Sequence, residues 1–125
     1  MSTDKHMIDG EQWLKSLDAM TAAPDHHDLL FENDHVRVLD SLVRPGEATP
    51  IHTHRWPSLL YVLSTSDFVR YRPDGEIVLD SRGSDNMAEP GKAIWSPPLK
   101  PHFVRNVGNS DLRVISVELK DQQAE

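Results

Sequence analysis

Residues 46–58 read GEATPIHTHRWPS, and the disposition of that stretch decides the fold. Gly46 and Pro50 punctuate its start, so a turn delivers the chain into His52-Thr53-His54. In an extended strand, residues i and i+2 point to the same face. His52 and His54 therefore project together and can share one ion. A divalent metal needs at least one further ligand from elsewhere in the fold. The 125 residues include no cysteine, so that ligand has to be His, Asp or Glu. Five other histidines are available. His6 lies near a polar N-terminus. His26 and His27 are adjacent and diverge if the chain is extended. His35 opens a strand after the turn residues END. His102 begins HFVRNV, directly after the proline-rich corner SPPLKP, and is the strongest third candidate.

Working outward, the chain from residue 29 has a β rhythm. HVRVLDSLV (35–43) alternates, SLLYVLS (58–64) reads by composition as a strand buried on both faces, and DFVRYR and EIVLDS flank a PDG hairpin turn. AIWS, HFVRNV and LRVISVELK follow, separated by the loop 82–92, the corner PPLKP and the turn GNSD. About eight short strands with frequent Gly and Pro predict an all-β sandwich, barrel or jelly roll. Ahead of it, DGEQWLKSLDAM reads as a short helix, with Asp9 as N-cap and Gln12 closing a capping box. The expected organisation is an N-terminal arm with this helix (1–28), a β-barrel (29–120) and a short tail (121–125).

Composition narrows the function. The length suits one domain with its own core. A net charge of −7 argues against a surface that tracks nucleic-acid phosphates. No apolar run approaches the ~20 residues that span a bilayer, so no membrane association is expected. The N-terminus has no signal-peptide-like apolar core, and the absence of cysteine suits a reducing compartment, so a cytoplasmic location is expected. Neither a nucleophile elbow nor a glycine-rich phosphate cradle occurs.

Two spaced motifs resemble those of the cupin superfamily. The first is matched by Gly46, His52 and His54, with Ser58 where the family carries a glutamate and Thr65 at its final glycine. The second is matched by Gly91, Pro97, His102 and Asn106, with Leu99 in place of a glycine. The resemblance covers roughly residues 30–119 and implies a single-domain jelly-roll barrel. It also implies a divalent metal held inside by His52, His54 and His102. The usual carboxylate ligand is missing, and no acid close in sequence replaces it. Some cupin dioxygenases are similar in using three histidines, so iron(II) is the favoured ion, with zinc, nickel, manganese and copper as alternatives.

The resemblance thus implies an oxygenase-type enzyme acting on a small organic molecule. A non-catalytic metal-binding or sensing module is a second reading. A metal-assisted isomerase or lyase is a third, with Tyr61 or a pocket histidine moving protons. Alternation from Ser58 puts Leu60 and Val62 inside and Leu59 and Tyr61 outside. The expected substrate pocket comprises Trp56 at the mouth, Ser58, Leu60 and Arg70, with Arg55 and Arg105 as further cations near the motif strands. Asn106 is expected to fix backbone rather than touch substrate. Similar proteins pair through sheet edges or faces, so a homodimer is expected.

Overall fold

The computed structural model describes residues 13–83 and 89–120. Nine strands run β1 (His27–Glu32), β2 (Val36–Val43), β3 (His52–His54), β4 (Ser58–Ser64), β5 (Phe68–Tyr71), β6 (Ile77–Asp80), β7 (Ala93–Ser96), β8 (Leu99–Asn106) and β9 (Leu112–Leu119). They form a five-stranded sheet of order β1-β2-β9-β4-β7 and a four-stranded sheet of order β3-β8-β5-β6, antiparallel throughout. The all-β, jelly-roll-like architecture is the expected one. Among the described residues no helix is long and apolar enough to cross a membrane.

Register turns the alternating pattern into a container. Arg37, Glu118, Ser58 and Ser96 are successive cross-strand partners on β2, β9, β4 and β7. The next inward row is Leu39, Ser116, Leu60 and Ile94, and the one after is Ser41, Val114 and Val62. Residues directly opposed in a ladder share a face, so these rows line one interior. The largest fully buried side chains are Leu39, Glu118, Val62, Val69, Asn106 and Thr53. Half of that set is polar, which a purely packed core does not tolerate without partners.

Three expectations change. Asp9 and Gln12 lie outside the described residues, but the rest of the expected helix is broken. Lys15–Leu17 is a 3₁₀ turn, and a single α-turn, α1, spans Ala19–Ala22. Asp18 between them is extended (φ −57°, ψ 143°), and its carboxylate accepts from Met20 N–H at 3.1 Å. That carboxylate also grips Arg37, so a tertiary ion pair overrides helical periodicity. Strand β1 begins at His27 and reads poorly in sequence because it is an edge strand. Only His27 on it is buried, and its register slips between Leu29 and Phe31. Finally, β4 is not buried on both faces: Leu60 and Val62 point inward as alternation predicts, but Leu59, Tyr61 and Leu63 stand on the outside. Trp95 on β7 pairs opposite Leu59, extending an exposed apolar row.

The motif glycines are backbone devices. Gly46 and Gly91 have φ of +82° and +83°, and a Cβ at either would meet no neighbour. The demand is for the left-handed conformation alone. Asn106 ends β8 with all four amide positions in use. Its Nδ2 donates to the carbonyls of Val43 and Ser110, both at 2.8 Å. Its Oδ1 accepts from Ser66 Oγ at 2.8 Å and Gly108 N–H at 2.9 Å. It thus ties β2, β8 and the following turn together. Replacing it leaves several buried groups unpaired, so Asn106→Ala is expected to lower unfolding free energy by about 2–3 kcal/mol in urea titration, whereas a surface change such as Arg105→Ala stays within about 0.5 kcal/mol.

Candidate functional site

His52 and His102 face each other across the β3–β8 ladder, and His54 follows on β3. The rings of His52 and His102 are 4.5 Å apart between centroids, His52 and His54 5.0 Å, and His54 and His102 5.9 Å. All three expected residues therefore come together. A fourth joins them from the other sheet: His27, on β1, lies 5.0 Å from His52 and 5.3 Å from His54. His27, His52 and His54 each offer a ligand atom within 4.8 Å of the others, and His102 contacts both His52 and His54.

The outward nitrogens explain why these rings converge. His27 Nδ1 donates to the Ala23 carbonyl at 3.0 Å, at the end of α1. His52 Nδ1 donates to Pro50 O at 2.8 Å, and His102 Nδ1 to Lys100 O at 2.7 Å. His54 Nδ1 donates to Glu118 Oε2 at 3.1 Å. A carbonyl or carboxylate only accepts, so each Nδ1 carries the proton and each Nε2 keeps its lone pair. Neutral imidazoles with Nδ1–H tied outward are donors compatible with a divalent cation, their tautomers fixed from behind; His27, His52 and His54 form the group within ligating distance of one another, and His102 stands beside it. Burial is also the chief reason that His52 is pushed down to about 2, and His54 and His102 to about 3, and the repulsion that protonated rings would exert on one another adds to it. His27 is lowered as well, again by burial. The rings stay uncharged at neutral pH, as ligation requires.

Behind His54 stands a chain of charge. Glu118 is fully buried, and its other oxygen accepts from Arg37 Nε. Arg37 reaches on to Asp18 with both terminal nitrogens, each at 2.9 Å. Burial pushes Glu118 upward against the opposing pull of Arg37. For Asp18 burial also raises, but the hydrogen bonds and charge of Arg37 outweigh it and the net direction is down. The N-terminal segment thus orients two histidines: Ala23 holds His27, and Asp18 acts through Arg37 and Glu118 on His54. A hydrogen bond from Thr53 Oγ1 to Leu17 O at 3.2 Å and a bridge between Asp18 and Thr53 seat that segment on β3.

The four rings open into a cavity of about 660 Å³, within the size range of small-molecule sites. Ser58, Leu60 and Arg70 line it, as expected. Trp56 does not: it lies in a separate cleft with Trp13, Leu14, Asp18 and Arg37. The Arg37, Arg55 and Lys120 cations sit 5.0, 5.8 and 5.7 Å from the Trp56 ring centroid. It caps the far side of the Arg37 chain rather than the cavity mouth, because cation–π attraction holds it there. Tyr61 is on the outer face, about half exposed. His26 also borders the cavity, but its Nδ1 donates to Leu42 O at 2.9 Å and it stands apart from the four-ring group.

His27 and Glu118 escape sequence reading for different reasons. His27 has no motif spacing to the others and depends on the pairing of an irregular edge strand. Glu118 does carry a signal: in VISVELK, Ser116 and Glu118 alternate with Val117 and Leu119, marking a strand whose inward face is polar. Glu118 also lies directly across the ladder from Ser58, the position where the family's glutamate is replaced.

A family model described as a cupin domain matches residues 40–118. No curated protein matches the chain in sequence. Among solved structures, a cupin domain protein from Bordetella pertussis is 19% identical with a TM-score of 0.60, covering 75% of this chain and 91% of its own. An RmlC-like cupin with a double-stranded β-helix fold from Methanocaldococcus jannaschii is 16% identical, TM-score 0.53, with 74% and 77% covered. The polyketide cyclase RemF from Streptomyces resistomycificus is 24% identical, TM-score 0.52, with 81% and 69% covered. These likenesses concern the fold.

Competition titration of zinc against a chromophoric chelator measures the ligand set. Glu118→Gln is expected to weaken zinc binding about 10–100-fold by releasing the ring of His54, and His27→Ala and His102→Ala to weaken it more. Unchanged affinity in His27→Ala would remove that residue from the set.

Proposed function

The chain belongs to the cupin domain family, and from that premise we propose that it is a divalent-metal enzyme acting on a small organic molecule. Oxygenase-type chemistry is the first reading and iron(II) the favoured ion. The observation that carries the proposal is the convergence of His27, His52, His54 and His102, each with its Nδ1–H bound from behind. Zinc, nickel, manganese and copper suit the same imidazole donors. Held by these neutral imidazoles, a divalent ion would keep its full charge and would supply Lewis-acid chemistry.

The chain's own residues supply the rest. Leu60, Val62, Val114, Phe68 and Leu79 give the cavity apolar walls that exclude water around a bound molecule. Ser58 and Ser96 flank each other on β4 and β7 at the cavity wall and offer hydroxyls to orient it. Glu118 holds the ring of His54 in place and, being fully buried, is not a base for substrate.

A second reading, non-oxidative lyase, isomerase or cyclase chemistry, is favoured by His27. With His27 among the ligands, a bound metal would have one open position fewer than with three histidines, and so less room for O₂ beside a chelating substrate. The structural likeness to a protein named as a polyketide cyclase belongs with this reading. Tyr61 cannot move protons in it from the outer face, so a pocket group has to. A binding or sensing module without turnover is the remaining alternative.

Protein purified without chelator and reconstituted with iron(II) or zinc separates these readings on a panel of thiols, 1,3-diketones and phenols. Oxygen uptake dependent on iron(II) is the expected result. Turnover that persists under argon moves the assignment to the second reading. One metal per chain without turnover in either atmosphere overturns the enzyme assignment.

A further inference from the structure

Arg70 lies on the same sheet face as the histidines. Val104 follows His102 by two residues on β8, and Arg70 on β5 is the cross-strand partner of Val104. Both Arg70 and Val104 line the cavity. Arg70 is part-buried, yet among the described residues it makes no side-chain hydrogen bond or ion pair, and its Nε is a buried donor with no partner. Arg55 Nε is also a buried donor without a hydrogen-bond partner, but Arg55 borders the separate Trp56 cleft, where its guanidinium stands 5.8 Å from the indole centroid. Arg37 is held by Asp18 and Glu118, and Arg82, also on the lining, is held by Asp80. The carboxylate on the lining, Asp67, acts on Arg82 and accepts from Ser81. Burial without a compensating acid depresses Arg70.

A buried guanidinium without a counter-charge is destabilising. A fold keeps such a group where an anion completes it, and the planar fork of arginine matches a carboxylate in two parallel hydrogen bonds. The site has a second orphan: Ser116 Oγ is buried on the facing sheet, lines the same cavity and has no partner. The remaining walls near it, Leu60 and Ile94, are apolar. We propose that the substrate is a small, mostly apolar carboxylate, anchored through its anion by Arg70 so that its other end meets the four histidines. This inference rests on the metal-site reading for the reacting end, whereas the anion contact stands on Arg70 alone. Arg70 is in these terms a specificity-determining residue.

The test uses benzoate and its neutral isostere benzamide as probes, titrated calorimetrically into metal-free and zinc-loaded protein. Wild type is expected to prefer benzoate by about tenfold or more in both forms, the size of one charge-assisted contact. Arg70→Met is expected to abolish that preference in the metal-free form, and Arg70→Lys to retain part of it. Both variants bind zinc with wild-type stoichiometry. Without ligand, Arg70→Met melts at the wild-type temperature or higher, because it removes an uncompensated buried charge. No benzoate preference in wild type, a preference that survives Arg70→Met in the metal-free form, or a lower melting temperature for that variant each overturns the proposal. Failure to load zinc, with the Arg70-dependent preference intact, overturns only the metal reading.

Discussion

The buried carboxylate of Glu118, clamped between Arg37 and the ring of His54, is the interaction on which the rest of the site depends. Taking a carboxylate and a guanidinium out of water costs several kcal/mol per ion, and an apolar pair of the same volume is often more stable. The arrangement is therefore poorly explained as a stability device. It is well explained as a positioning device, since it fixes one tautomer of His54 and turns its free nitrogen inward. It also recruits the N-terminal segment, because Asp18 shares the same guanidinium. A segment that packs only one turn of α-helix against the sheets thereby acts on the centre of the cavity.

Polar groups on the periphery of the site are satisfied: three Nδ1–H groups by carbonyls, one by Glu118, and the amide of Asn106 by four partners. Facing the cavity, the four Nε2 atoms, Arg70 Nε and Ser116 Oγ are left open, while Ser58, Ser81 and Arg82 on the same lining have partners. In a protein interior an open polar group costs stability. Where such groups share a concave surface, as Arg70 Nε and Ser116 Oγ do, they are placed to meet a ligand. The backbone supports this with glycines at Gly46 and Gly91, where positive φ lets the chain turn ahead of β3 and of β7.

Much of this was legible from residues alone. The shared face of His52 and His54 follows from strand periodicity, and the resemblance of Gly91, Pro97, His102 and Asn106 to the second cupin motif places the opposing strand. The inward positions of Leu60 and Val62 follow from simple alternation. What failed depends on contacts remote in sequence. The helix over residues 9–20 gives way at Asp18 because Arg37, nineteen residues on, claims its carboxylate. Trp56 follows His54 closely but is drawn outward by three cations. The apolar composition of β4 says nothing about whether its outer face is covered. His27 enters only when β1 pairs with β2, and Glu118 only when β9 lies between β2 and β4. In each case tertiary pairing, not local propensity, decides.

The most direct measurement is an anomalous-difference map from crystals of protein loaded with zinc, collected on both sides of the metal edge. The account predicts one peak per chain inside the cavity, about 2.0–2.1 Å from the Nε2 atoms of His27, His52, His54 and His102. A peak bonded through any Nδ1, a peak that excludes His52 or His54, or no peak among these rings would contradict it.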